Sequence, residues 1–375
     1  MLKKIILIFV LMVNFITFSS EIKEENTKEL KSPECRAYLV GDANGNIYYS
    51  ENENEMVPLA SVTKVMTLLL TYDAIHEGKI KYDDKVVVDK TMATMGGSRI
   101  WMKEGSKISV EDLIKATALH SANNAAYGLA KLVGGDIDKF VEMMNNKAEM
   151  LGFGDEIKYY TPTGLPTSMT GRKTDVGSAM GVYKLSMAAL KYEDYIEMFS
   201  RKKDVIYSGR EKIYNRNKLI GKDGIYGIKT GHHDNWYNIS VASDKENINS
   251  IVIVLGAYDE KTRDENILGK IALFHSEYSF KNVLNKEFPV GELDIINGTA
   301  KRAEIYPDRD YSGIIKNDSE IKFVVRRDRK EAPFAENEVI GTYKLYVDDE
   351  VKDEGNVLIR ENIEESEKFF KVLDF

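Results

Sequence analysis

Apolar positions change their period several times along this chain, and those changes divide it into parts. Residues 36–40 and 46–50 flank Gly41-Asp42-Ala43-Asn44-Gly45, which predicts two short strands around a turn. A polar loop over 51–57 leads into Leu59-Ala60-Ser61-Val62-Thr63-Lys64-Val65-Met66-Thr67-Leu68-Leu69-Leu70. Its apolar remainder predicts a helix driven into a core and ended near Gly78. Residues 85–88 read as a strand and 95–98 as a loop. Ser109-Val110-Glu111-Asp112 opens the next helix with a side-chain cap and early acids, and the helix runs to about His120. Ser121-Ala122-Asn123-Asn124 interrupts it, and helical spacing resumes over 125–133. Residues 136–151 form another amphipathic helix with Gly152 as C-cap, 160–168 a proline-containing loop, and 178–190 a further helix.

From Gly224 the pattern turns to strands. Residues 224–229, 238–242 and 250–257 read as successive antiparallel strands, with 246–249 turning between the last two. A long helix is expected over 262–284. After 285–290 come five short strands, 293–296, 303–306, 321–325, 342–347 and 356–359, which predict a small β-sandwich-like domain.

The two ends differ in kind. Lys3 and Lys4 precede an apolar run over 5–18, and small residues then precede Glu21, as in a secretory signal peptide. An uncleaved anchor is the alternative. The tail, 361–375, is apolar but acidic. Packing or fraying is the expectation for it, with peripheral membrane association as the alternative. The formal net charge of −8 argues against nucleic-acid partners. Cys35 is the sole cysteine, so no intramolecular disulfide forms and packing must supply the stability. An exported, disulfide-free protein of this size suggests a bacterial cell envelope: the periplasm or the outer face of the cytoplasmic membrane.

Three short stretches carry candidate chemistry. Ser61 and Lys64 lie one helical turn apart, as a nucleophile and its base require. Ser121-Ala122-Asn123 sits at a helix break, where a backbone turn can aim both side chains into a cleft. Lys229-Thr230-Gly231 ends a strand, where glycine allows close approach. Each has an ordinary reading alone: a helix cap and a surface lysine, a capping loop, a strand end. Together, in this order and these contexts, they match the signature shared by penicillin-binding proteins and class A β-lactamases. His232-His233 points apart on a strand and has no companion ligand cluster, so neither a metal nor a cofactor is expected.

On these motifs the chain resembles the serine-type D-alanyl-D-alanine carboxypeptidases, the low-molecular-mass penicillin-binding proteins of the S11 peptidase family. Tyr214-Asn215-Arg216-Asn217-Lys218-Leu219 and Tyr160-Thr161-Pro162-Thr163-Gly164-Leu165 are also similar to family stretches. The resemblance implies an α+β, β-lactamase/transpeptidase-like catalytic domain, an antiparallel sheet flanked by helices plus a helical subdomain, followed by a small all-β domain. The expected boundaries are 1–20 (signal), 21–287 (catalytic), 288–360 (β-rich) and 361–375 (tail). Two departures stand out: Ser-Ala-Asn replaces the commoner Ser-Gly-Asn, and Ser178-Ala179-Met180-Gly181 lacks the aspartate the family carries near Gly181.

The resemblance assigns roles. Ser61 is the nucleophile, Lys64 the base and Ser121 the proton relay from Lys64. Asn123, Lys229, Thr230 and Gly231 bind substrate, with Arg216 and Arg263 as further candidates for its carboxylate. The backbone N–H groups of Ser61 and His232 form the oxyanion hole. Peptidoglycan stem peptides are the implied substrates and β-lactams the inhibitors. A class A-like β-lactamase, a peptidoglycan-binding scaffold, and an endopeptidase or esterase on the same site are the alternatives. The first needs a deacylating acid, and 153–168 offers Asp155 and Glu156 but no Glu-x-x-Leu-Asn segment.

Overall fold

The computed structural model describes residues 35–234 and 236–366. The signal-like segment therefore lies outside the described residues, as does the tail beyond Ser366. The chain divides into two compact units, with the change at Ser276.

The first unit is built on a five-stranded antiparallel sheet. Its order is Ile225–His233, Trp236–Lys245, Ile248–Ala257, Ala37–Asp42, Ile47–Glu51. Ile248–Ala257 is the central strand and nearly every residue in it is buried, which requires cover on both faces. The helix Ala179–Ala189 packs on one face. On the edge formed by Ile47–Glu51, Phe274 of the helix Glu260–Glu277 packs on Tyr48, ring centroids 4.5 Å apart. The helix Lys64–His76, called the serine helix below, lies against Val110–Ala118, Asn123–Gly134, Ile137–Met150 and Ala179–Ala189. It is buried on almost every side, as a helix at the middle of a cluster must be. Its threonines stay satisfied: Thr67 Oγ1 donates to the Pro162 carbonyl at 2.7 Å and Thr71 Oγ1 to the Thr67 carbonyl at 2.8 Å.

The cap expected at Ser109 forms, and the helices expected from Asp136 and Ser178 start with caps of the same kind. Ser109, Asp136 and Ser178 each accept a hydrogen bond from the backbone N–H three residues on. The turn expected over 246–249 is tighter than that. Glu246 and Asn247 take left-handed φ of 54° and 64°, a two-residue connection that suits strand twist, and Ile248 and Asn249 are already in the ladder.

The helix expected over 262–284 needs correction. It spans Glu260–Glu277, and Tyr278–Leu284 is a strand paired with Tyr311–Lys316. Helical periodicity continues past Glu277, but Tyr278, Phe280 and Val283 are residues that suit a pleated surface, and pairing with a distant strand decides the outcome. The second unit also holds a five-stranded antiparallel sheet, ordered Gly291–Asp294, Arg302–Pro307, Glu350–Ile359, Glu338–Val347, Ile321–Arg327. Its own core includes Leu293, Ile305, Tyr343, Leu345 and Val357. The α+β class and the all-β second unit are as expected; the strand Tyr311–Lys316 was not foreseen.

Candidate active site

Ser61 belongs to a single 3-10 turn, Ala60–Thr63, that runs straight into the serine helix. In that geometry positions i and i+3 eclipse, and Lys64 Nζ lies 2.8 Å from Ser61 Oγ. Ala60 holds a left-handed φ of 51°, which costs a non-glycine residue about 1–3 kcal/mol and must be enforced by its surroundings. Two contacts supply that. Asn238, buried in the sheet, donates to the Pro58 and Leu59 carbonyls at 2.8 and 3.2 Å. Gly164 packs so closely that an added Cβ would stand 1.8 Å from the Ala60 carbonyl oxygen.

Lys64 is wholly buried. Its amine donates to Asn123 Oδ1 at 2.7 Å and to the Thr163 carbonyl at 2.7 Å. The Asn123 amide is oriented by its other end, which donates to the Gly96 carbonyl at 3.0 Å. Both oxygens can only accept. A neutral amine has two N–H groups and one lone pair, so once both N–H groups go to carbonyls the lone pair faces the Ser61 hydroxyl. Burial first, and then the positive charge of Lys229, push Lys64 well below the ordinary lysine range, while Asp175 opposes them.

Ser121 stands at the break between Val110–Ala118 and Asn123–Gly134 with φ 58°. Neighbouring bonds hold the break in place: Asn123 N donates to the Ser98 carbonyl at 2.7 Å, and Ser98 Oγ to the His120 carbonyl at 2.8 Å. Lys229 Nζ donates to Ser121 Oγ and to the Thr230 carbonyl, both at 3.0 Å. Burial, then Arg216 and Arg263, bring Lys229 down to about 7. Gly231 is needed where it stands, because a Cβ there would lie 2.7 Å from the Leu59 carbonyl oxygen.

Ser61, Ser121, Asn123, Thr230, Gly231 and His232 all line one cavity of about 730 Å³. The two buried lysines reach its hydroxyls through hydrogen bonds. Some candidates are placed differently from expectation. Ser121 is bonded to Lys229, and among its described hydrogen bonds none reaches Lys64. Asn123 has its carbonyl on Lys64 and its amide on Gly96, so it holds the base. Arg263 lines the cavity but is committed to Asp264 and Glu260. Arg216 also lines it, 3.4 Å from His120 Nε2, and has no carboxylate in ion-pair range among the described residues. Burial and the charges of Arg216 and Lys229 hold His120 below the ordinary histidine range. No group of three potential metal ligands occurs among the described residues.

Sequence reasoning missed three contributors: the Thr163 carbonyl, the 96–98 loop, and Asp175. A backbone carbonyl leaves no side-chain signature, although Gly164, with φ 74°, marks its turn. The missing acid near Gly181 has a steric reason. A Cβ on Gly181 would stand 2.6 Å from Ile157 Cγ1 and 2.7 Å from the Glu156 carbonyl oxygen.

A hydroxyl served by a buried lysine, in a cleft between a helical cluster and the edge of an antiparallel sheet, defines a serine hydrolase of the penicillin-binding-protein class. The comparisons narrow this. The sequence model of the D-alanyl-D-alanine carboxypeptidases, peptidase S11, matches residues 23–259, and the chain belongs to that family. The model of the penicillin-binding protein 5 C-terminal domain matches residues 278–365. The D-alanyl-D-alanine carboxypeptidase DacF of Bacillus subtilis is 29% identical over 354 residues, covering 91% of this chain and 89% of its own. Penicillin-binding protein 6B of Escherichia coli shares the fold with TM-score 0.68 at 24% identity, covering 88% of this chain and 98% of its own. Penicillin-binding protein D2 of Listeria monocytogenes, solved in its ampicillin-bound form, aligns with TM-score 0.58 at 25% identity, over 64% of this chain and 97% of its own.

Proposed function

We propose that this chain is a serine-type D-alanyl-D-alanine carboxypeptidase that removes the terminal D-alanine from peptidoglycan stem peptides through an ester on Ser61. The observation that carries this reading is the coordination of Lys64: two carbonyls take its N–H groups and its third direction meets Ser61 Oγ. Lys64 takes the hydroxyl proton as Ser61 Oγ attacks the carbonyl carbon of the penultimate D-alanine. The resulting oxyanion is held by the N–H groups of Ser61 and His232. Ser61 lies in the first turn of its helix, where N–H groups have no intrahelical acceptor. The tetrahedral intermediate collapses with cleavage of the C–N bond. Lys64 gives up the proton it took, and the Ser121 hydroxyl, held by its hydrogen bond from Lys229, relays it to the departing amine, which leaves Lys64 neutral again. Water then cleaves the ester and restores Ser61. Lys229, Thr230 and Arg216 receive the terminal carboxylate of the substrate.

β-Lactams enter the same cycle and stop at the ester. A class A lactamase needs a carboxylate beside the ester to activate water. Glu156 is tied to Lys184 at 2.6 Å. The two acids that line the cavity, Asp234 and Glu260, face His233 and the pair Lys218 and Arg263. The sequence of residues 1–20 supports export to the cell envelope; among the described residues no helix is long and apolar enough to cross a membrane.

The test is incubation with fluorescent penicillin and, separately, with a peptide ending in D-Ala-D-Ala. Lasting label and released D-alanine are expected. Rapid turnover of the drug would make the chain a lactamase, and neither signal would make it a scaffold.

A further inference from the structure

We infer that Asp175 is the positioning residue of the Ser61–Lys64 pair: its carboxylate ties the nucleophile's turn to the loop whose carbonyl holds the base. This rests on the carboxypeptidase reading above and goes one step deeper into the same site.

Asp175 is fully buried. Its Oδ1 accepts the backbone N–H groups of Tyr160 and Thr161 at 2.6 and 2.8 Å. Its Oδ2 accepts the hydroxyls of Thr161 and Thr63 at 2.7 and 2.9 Å. Its own carbonyl takes the Leu59 N–H at 3.0 Å. One residue thus grips the chain two positions before Ser61, two positions after it, and the 160–161 segment across from it. The last grip is transmitted. Thr161 Oγ1 accepts the N–H of Gly164 at 2.9 Å and of Thr163 at 3.3 Å. That sets where the Thr163 carbonyl meets Lys64 Nζ, and the contact of Gly164 with Ala60 closes the loop.

The residue type follows from the donors. Four donors converge on two oxygens, and a carboxylate offers about four lone-pair sites, all accepting. An asparagine has one oxygen and would aim its NH2 group at two of those donors. The carboxylate also carries charge. Facing Lys64 are Lys229 from the strand Ile225–His233 and Asp175 from the loop before Ser178; facing Asp175 are Lys64 and the buried phenol of Tyr159. Asp175 is the one negative group in that set, and it offsets the repulsion that Lys64 feels from Lys229.

The sign of the pH effect is fixed by this. Acylation needs neutral Lys64, so its rate rises with pH through the value of Lys64. Removing the opposing negative charge lowers that value further, and the rising limb moves to lower pH. A merely structural residue would lower the rate without moving the limb. The experiment measures the second-order rate constant for acylation by fluorescent penicillin against pH, in the full-length protein and in D175N, T161V and T63V. D175N is expected to acylate at least ten-fold more slowly on the plateau, with its rising limb shifted to lower pH. T63V and T161V keep the charge: T63V cuts the one bond from the serine turn, and T161V removes the hydroxyl that bonds Asp175 and takes the Gly164 and Thr163 N–H groups; both are expected to be slower with the limb unmoved. Wild-type rate and profile in D175N overturns the inference. Should D175N not fold, unchanged rates in both threonine variants overturn it equally. A wild-type protein that takes no label overturns the carboxypeptidase reading itself, and this inference with it.

Discussion

At the residue scale the site consists of two hydroxyls, each served by a buried amine. Ordinary lysines are cations at neutral pH. Here burial, then Arg216 and Arg263, bring Lys229 to about 7, and burial, then Lys229, holds Lys64 well below its usual range. The proposed mechanism needs the two in opposite states: Lys64 neutral to take a proton, Lys229 charged to hold a carboxylate. The specificity constant for a peptide ending in D-Ala-D-Ala is therefore expected to rise through the value of Lys64 and to fall as pH passes about 7, where Lys229 loses its charge. Arg216 is one cause of the low value of Lys229, so R216A is expected to shift the falling limb to higher pH while weakening substrate binding; an unmoved limb would contradict the assignment. N123A removes one of the two carbonyls that orient the amine and is expected to slow penicillin acylation about 100-fold, as read by stopped-flow labelling, on the scale of general-base contributions. Ser61, Lys64, Ser121 and Lys229, which the fold brings to one cleft, were legible in the sequence because the proposed chemistry needs those side chains in those contexts. The Thr163 carbonyl and Asp175 were not. One acts through its main chain, and the other is a lone acid in a loop whose partners, Thr63 and Thr161, are far apart in the chain.

At the element scale, caps and breakers carried the reading. Ser109, Asp136, Ser178 and Gly152 mark helix ends where the sequence placed them. What the local pattern could not decide was the stretch after Glu277, where pairing between Tyr278–Leu284 and Tyr311–Lys316 overrides helical spacing. The least replaceable positions lie where two elements meet around Ser61. Gly164 has φ 74° and no room for a Cβ against Ala60. G164A is expected to destabilise the protein by about 2 kcal/mol or more and to abolish acylation, because the loop bearing Thr163 must retreat from Lys64. Urea denaturation and penicillin labelling check the two parts. Wild-type labelling in G164A would mean that this close approach is not required.

At the scale of the whole molecule, each of the two units has a core of its own among the described residues. The larger surrounds the serine helix and the first sheet, and the smaller lies in the second unit. With one cysteine in the chain, no disulfide reinforces either. Calorimetry is expected to show two unfolding transitions, only one of which moves on acylation, since the cavity is lined entirely by residues of the first unit. A single transition that shifts as a whole would contradict independent cores. The most direct measurement of the central claim, that two amines and two hydroxyls converge to make Ser61 the acylated atom, is mass-spectrometric peptide mapping after incubation with benzylpenicillin. One adduct with the mass of the intact drug is expected on the peptide containing Ser61, absent from S61A. An adduct on another residue, or one that survives in S61A, would contradict it.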